Sequence, residues 1–331
     1  MFDLDLKNIA SWINKRSYPI VAIQLPEGLK TDAFRITDFL SKNTRSKMII
    51  LGDPCYGACD LFVDYRKYAD ALIHFGHSPI HPQENDGDIL FVEVRVDADI
   101  GSSVKKASEM LPKRVGLLAT VQYIGMIPKA KKILEEMGKE VFVGTGDKRI
   151  FHPGQVLGCN FSSAVSVAEN VEAFLYLGEG DFHPLAASFG IKKMMIVLNP
   201  LTGEIRSVDD ARDRMLRKRF AVIESAKTAE CFLVIVCSKG GQDRSAVADN
   251  LIEAIASKGK KGYKIVINEI TPDAMLPYKA DAYICTACPR IAMDDSARYS
   301  KPMLTVTEAE IVLGLREWDG YEFDVIGSLP L

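Results

Sequence analysis

The chain has 331 residues, 47% of them hydrophobic and 26% charged, and a formal net charge of -3 at pH 7. This length allows two or three domains with a large buried core, and the composition is that of a globular protein rather than a disordered one. The net charge indicates no basic surface for nucleic acid, and no stretch approaches the roughly 18 apolar residues of a membrane span. The first residues lack the pattern of a signal peptide. We therefore expect a cytoplasmic protein that binds neither nucleic acid nor a membrane.

One pattern of apolar runs begins at residue 19 and occupies the first third of the chain. The run PIVAIQLPEGL at 19–29 predicts a strand, and TDAFRITDFLSK, which follows it, predicts an amphipathic helix. Three more runs predict a second, third and fourth strand; they begin at residues 47, 69 and 88. Each is short and rich in Val, Ile and Leu, which is typical of a strand buried on both faces.

The same pattern recurs twice. In the second third the first strand is RVGLLATVQYIG at 114–125, with a helix at 127–138 and further strands beginning at residues 140, 171 and 192. In the last third the first strand is CFLVIVCSKGGQ at 231–242, with a helix at 244–259 and strands beginning at 263, 280 and 301. The basic run at 211–220, ARDRMLRKRF, predicts a solvated helix face.

Alternating strands and helices predict an α/β fold with parallel sheets covered on both sides. We expect three related domains in pseudo-threefold arrangement, at residues 1–105, 106–208 and 209–331, each with a four-stranded parallel sheet. The alternative is one long sheet without internal symmetry. In such folds the functional site lies at the carboxyl ends of the strands.

Three of the seven cysteines occupy similar places, one in each third of the chain. Cys59, Cys159 and Cys288 each come just before a predicted helix. A helix N-terminus lowers the pKa of a thiol and favours the thiolate that metals bind. Three converging thiolates could hold three irons of a 4Fe-4S cluster and leave the fourth iron open to a substrate.

The other cysteines have simpler interpretations. Cys231, Cys237 and Cys285 flank or lie inside apolar strands, which predicts burial, whereas Cys55 remains an alternative ligand to Cys59. The segment HFGHSPIHP suggests a zinc site, because it contains His74, His77 and His81. We reject that site because His74 is a strand residue and no cysteine lies in the same loop.

Five segments together resemble the Dph1/Dph2 family of diphthamide biosynthesis proteins, in the archaeal form that acts as a homodimer. They are QLPEGL at 24–29, YGACD at 56–60, GQVLGCN at 154–160, GEGDFHP at 178–184 and ACPRIAMDD at 287–295. The resemblance implies three related domains with one cluster cysteine from each, and by motif these are Cys59, Cys159 and Cys288. Cys55 and Cys285 lie outside the matching positions.

The resemblance also implies a noncanonical radical chemistry with S-adenosylmethionine as cosubstrate. A 3-amino-3-carboxypropyl group would be transferred to a histidine of translation elongation factor 2, which is the first step of diphthamide biosynthesis. An electron donor would reduce the cluster. The chain lacks the C-x3-C-x2-C run of the ordinary radical enzymes, since no third cysteine follows Cys55 and Cys59.

Two segments at strand ends are the candidate cosubstrate contacts. Gly240 and Gly241 allow close backbone approach, and Gln242 could hydrogen-bond an amino-acid carboxylate. In the first third, the candidates are four residues that end the first strand, where a ligand crevice is expected: Gln24, Pro26, Glu27 and Gly28.

Two other functions remain open from sequence. Quinolinate synthase has a similar architecture around a three-cysteine 4Fe-4S cluster, which there acts as a Lewis acid in a dehydration. The second alternative is a non-catalytic accessory subunit that supports the cluster of a partner chain. The presence of all three cysteines favours a catalytic chain.

Overall fold

The protein, described here by a computed structural model over residues 4–80, 87–318 and 321–327, contains three separate β-sheets. The first sheet has four strands: β1 (Ile20–Gln24), β2 (Lys47–Leu51), β3 (Ala71–Phe75) and β4 (Ile89–Val92). The second has five: β5 (Arg114–Ala119), β6 (Glu140–Phe142), β7 (Ala173–Leu177), β8 (Met194–Leu198) and β9 (Ile205–Ser207). The third has four: β10 (Cys231–Cys237), β11 (Lys261–Ile267), β12 (Ala282–Cys285) and β13 (Met303–Leu304).

Helices alternate with these strands along the chain. In order they are α1 (Leu6–Arg16), α2 (Ala33–Asn43), α3 (Gly101–Ser108), α4 (Ile127–Glu136), α5 (Ser162–Val165), α6 (Phe182–Ile191), α7 (Asp209–Ala226), α8 (Ser245–Ser257), α9 (Pro272–Met275), α10 (Pro289–Met293) and α11 (Val306–Val312). Gly138 and Gly259 follow α4 and α8 with φ of +81° and +73°, the left-handed conformation in which glycine ends a helix.

All three sheets share one strand order, with the second strand at the edge, then the first, the third and the fourth. The predicted threefold repeat of strands is therefore confirmed, and the single-sheet alternative is wrong. The middle sheet differs from the prediction, because β9 adds a fifth, antiparallel strand beside β8. Each sheet lies inside one of the three predicted residue ranges, while the domain boundaries themselves stay a prediction.

The second and third sheets share a hydrophobic core, whereas the first has its own. Phe174 and Tyr176 of β7, Phe232 of β10 and Phe323 near the C-terminus belong to the shared core. A separate cluster around β1 and β3 includes Ile23. The first unit therefore meets the other two mainly through its loops, where the candidate site lies.

One residue of the basic run is buried, contrary to the solvated helix face predicted there. Arg219 of α7 and Glu308 of α11 are both fully buried and form an ion pair of 2.5 Å. Arg219 also donates to the carbonyl oxygens of Ala292 and Met303 at 2.6 and 2.7 Å, so its buried charge is fully partnered.

No helix in the described part of the chain combines the length and apolar character needed to cross a membrane.

Candidate functional site

Cys59, Cys159 and Cys288 lie in loops on the carboxyl side of strands, one loop from each unit. Cys59 follows β2 inside a 3-10 turn, Ala58–Asp60. Cys288 follows β12 and is the residue that caps α10, a helix of five residues. Cys159 comes three residues before the four-residue α5. We expected each cysteine at or beside a helix N-terminus; Cys288 is itself the N-cap of an α-helix, whereas Cys59 lies within a 3-10 turn and Cys159 lies in the loop before its helix.

The three thiols are close enough to interact electrostatically. Burial is the largest cause that raises the pKa of Cys288, and the charges of Cys159 and Cys59 raise it further. After burial and Asp60, Cys159 also raises the pKa of Cys59. The fold therefore brings three thiols from distant parts of the chain to one place, which is the arrangement that a cluster with three protein ligands requires.

The acidity of these thiols is opposite to the sequence-based expectation. Burial raises the pKa of Cys59 to about 12, that of Cys159 above its usual value, and that of Cys288 well above it. Desolvation outweighs the short helices and turns beside the sulfurs, because a buried thiolate loses its hydration. A metal must therefore displace the thiol protons as it binds.

Gln242 connects two of the cysteine loops. Its side-chain amide nitrogen donates to the Cys59 sulfur at 3.3 Å and to Asp60 Oδ1 at 3.1 Å. Its amide oxygen accepts the backbone N–H of Cys288 at 3.3 Å. The predicted contact of Gln242 with a cosubstrate carboxylate stays a prediction, and it would compete with these partners.

Gln24 holds the Cys59 loop from the other side. It is almost fully buried, its amide nitrogen donates to the Asp60 carbonyl oxygen at 2.7 Å, and its amide oxygen accepts the Phe62 N–H at 3.2 Å. The same oxygen lies 2.8 Å from Nδ1 of His74. In this structure Gln24 positions the loop that carries Cys59.

Asp60 and Lys239 complete this support, and neither is among the predicted site residues. The Asp60 carboxylate accepts the Tyr56 N–H at 2.7 Å and lies 3.2 Å from the Lys239 ammonium, which also pairs with Glu269. The only sequence signal was that Asp60 and Lys239 each stand beside a candidate residue.

The remaining predicted contacts divide into packed and open positions. A Cβ on Gly241 would lie 2.5 Å from Cys59 Cα, so Gly241 is in close backbone contact with the cysteine loop, whereas a Cβ on Gly240 or Gly28 would meet nothing within 4 Å. Pro26 packs against Gly76. Glu27 is exposed and pairs with Lys30 at 2.6 Å. Their roles as cosubstrate contacts stay predictions.

Cys55 lies beside the two histidines for which we rejected zinc. Its sulfur and one ring nitrogen from each of His74 and His77 lie within 4.8 Å of one another, so tertiary structure supplies the cysteine that the loop sequence lacks. The imidazoles hydrogen-bond each other at 2.9 Å, and burial lowers the pKa of His77 to about 4, so the pair is neutral. His81 lies outside the described residues.

A cavity of about 500 Å³ opens beside the Cys159 and Cys288 loops. Phe182 and His183 line it, and a side chain on Gly158 would run into the Phe182 ring. Arg290, two residues after Cys288, lines another wall together with Lys218. Burial and Arg290 lower the pKa of His183 to about 4.

Known proteins resemble this chain over nearly its whole length. A curated 2-(3-amino-3-carboxypropyl)histidine synthase from Pyrococcus horikoshii is 37% identical, covering 94% of this chain and 90% of that protein. The subunit 1 of the same name from Gallus gallus is 29% identical, covering 94% and 77%. The crystal structure of Dph2 from Pyrococcus horikoshii with a 4Fe-4S cluster matches with a TM-score of 0.90 at 34% identity, covering 100% of this chain and 96% of that one.

A family model described as a diphthamide synthesis protein matches residues 25–323. This match includes all three converging cysteines and agrees with the relatives of similar length. The chain therefore belongs to the diphthamide synthesis protein family.

Proposed function

We propose that this chain is a 2-(3-amino-3-carboxypropyl)histidine synthase. It transfers the 3-amino-3-carboxypropyl group of S-adenosylmethionine to an imidazole carbon of a histidine in translation elongation factor 2, the first step of diphthamide biosynthesis. The observation that carries the proposal is the convergence of three thiols from three repeated units, in a chain whose relatives bear that enzyme's name. Membership of the family favours this function over a quinolinate-synthase-like dehydratase.

Cys59, Cys159 and Cys288 are the residues that would hold a 4Fe-4S cluster. The matched crystal structure is titled with such a cluster, and three thiol ligands leave one iron without a protein ligand. When bound and reduced by an electron donor, the cluster supplies the electron that breaks the bond between the S-adenosylmethionine sulfur and its methionine γ-carbon.

The chain's own residues hold the cysteine loops in place. Gln24 and Gln242 both hydrogen-bond the Cys59 loop, and Gln242 also accepts the backbone N–H of Cys288. Held geometry matters because a misplaced cosubstrate would present another of its sulfur–carbon bonds for cleavage. Overall the imidazole carbon gains the four-carbon group and loses a proton, and methylthioadenosine leaves, so the transfer consumes no electrons.

The protein substrate approaches through the cavity lined by Phe182, His183 and Arg290. It adjoins the loops of Cys159 and Cys288, so an imidazole entering there would come close to the centre. His183 is neutral above about pH 4, because burial and the charge of Arg290 lower its pKa. We further propose that the chain acts as a homodimer in the cytoplasm.

The test is product analysis without oxygen. The purified chain is reconstituted with iron and sulfide, reduced with dithionite, and given carboxyl-labelled S-adenosylmethionine with elongation factor 2. We expect methylthioadenosine and a labelled histidine, and no labelled protein when that histidine is replaced. Deoxyadenosine with methionine would overturn the proposed bond cleavage, and an intact cluster without turnover would favour an accessory subunit.

A further inference from the structure

Arg149 is a buried cation beside the loops that carry Cys59 and Cys159. Only 7% of its surface is exposed, one terminal nitrogen donates to the Gly241 carbonyl oxygen at 3.1 Å, and its Nε has no hydrogen-bond partner. No carboxylate among residues 4–80, 87–318 and 321–327 forms an ion pair with it within 4.0 Å. A guanidinium cannot lose its proton, so its charge at this place needs an anion.

The fold holds Arg149 beside Cys159 through two neighbouring residues in the chain, Asp147 before Arg149 and Asn160 after Cys159. The side-chain amide of Asn160, next to Cys159, donates to Asp147 Oδ2 at 2.9 Å, and Asp147 Oδ1 accepts the backbone N–H of Arg149 at 2.9 Å. Gly241, whose carbonyl oxygen accepts from Arg149, lies so close to Cys59 that a Cβ on it would be 2.5 Å from Cys59 Cα. In agreement, the positive charge of Arg149 opposes the rise that burial causes in the pKa of Cys159 and of Cys59. Arg149 therefore lies beside two cysteine loops from two different units.

We propose that Arg149, assisted by the Gln242 amide, raises the reduction potential of a cluster held by Cys59, Cys159 and Cys288. The inference rests on the proposed function only in that the three thiols hold the cluster. With three thiolate ligands the oxidised cluster carries a single net negative charge, and reduction adds a second negative charge. A nearby cation therefore stabilises the reduced cluster more than the oxidised one. The difference is large where little water surrounds the charges. The hydrogen bond from Gln242 to the Cys59 sulfur acts in the same direction.

The test measures the midpoint potential of the reconstituted protein without any cosubstrate. Arg149→Met removes the charge with little change in volume, and Arg149→Lys keeps it. We expect Arg149→Met to lower the equilibrium constant for one-electron reduction at least tenfold, which is about 59 mV. Arg149→Lys should keep the potential close to that of the wild type. Gln242→Leu should lower the potential by less than Arg149→Met does.

Lys129→Met is the matched control, because it removes one positive charge from an exposed ion pair with Asp99. It should leave the potential unchanged. Equal potentials in wild type and Arg149→Met, at equal iron content, overturn the inference, and so does an unchanged potential with a raised KM for S-adenosylmethionine, which would make Arg149 a carboxylate contact.

If Arg149→Met does not assemble a cluster, Gln242→Leu decides, and an unshifted potential there overturns the inference. A wild-type chain that binds no iron would overturn the proposed function itself. If the cluster assembles normally and its potential is the same in these variants as in the wild type, only the role of Arg149 and Gln242 is overturned.

Discussion

Replacement of Gly241 by alanine is the sharpest test of how the site is built. The new Cβ would lie 2.5 Å from Cys59 Cα, 2.7 Å from Cys59 Cβ and 2.9 Å from Ile80 Cδ1. Ordinary contacts begin near 3.4 Å, so the Cys59 backbone must retreat by roughly 0.9 Å in a close-packed region. Backbone cannot move aside as the end of a flexible side chain can.

Such overpacking costs about 1–3 kcal/mol of folding free energy. Iron binding should suffer more than folding does, because the distances from a metal to its ligands must hold to about 0.2 Å. We therefore expect Gly241→Ala to remain folded, to lose about 1–3 kcal/mol in urea unfolding of the iron-free protein, and to retain less than half of the wild-type iron after reconstitution.

Gly240→Ala is the matched control, since its Cβ would meet nothing within 4 Å. It should change the unfolding free energy by less than about 1 kcal/mol and bind iron normally. The assays are iron and sulfide determination, visible absorption and urea unfolding. Gly241→Ala with wild-type iron content would refute the close approach of Gly241 to the Cys59 loop.

Three further predictions use other parts of the molecule. Cys159→Ser should abolish the cluster absorption, while Cys231→Ser, at the start of a strand, should keep it; equal losses in both would contradict the ligand assignment. Glu308→Gln leaves the fully buried guanidinium of its ion pair uncompensated and should cost about 3–5 kcal/mol in urea unfolding. Glu140→Gln, in an exposed pair with 49% of its side chain accessible, should shift the urea unfolding curve far less, and equal shifts in the two variants would refute the difference in burial. Burial and a neighbouring guanidinium lower the pKa of His183 from 6.5 to about 4, so the unfolded chain binds its proton at higher pH than the folded one. Stability should therefore fall as pH drops from about 6.5 to 4, by up to about 3 kcal/mol, and His183→Gln should reduce that fall in unfolding curves recorded across this range; an unchanged pH profile would contradict it.

The sequence by itself determined the repeated strands, the helix ends at Gly138 and Gly259, and the three cysteines as a set. These features are local. A buried parallel strand is a short apolar run, a helix end needs a residue that tolerates positive φ, and three equivalent positions follow once the repeat is recognised. The resemblance to the family added the chemistry.

Tertiary structure alone decided the surroundings of the site. Burial reversed the expected acidity of the thiols, and the amide of Gln242 lies against the Cys59 sulfur, 183 residues away along the chain. Arg149 and Arg219 resemble any surface arginine in the sequence, yet both are buried. Desolvation and charge interactions depend on which atoms lie within a few ångströms, and in this protein those atoms come from different repeats.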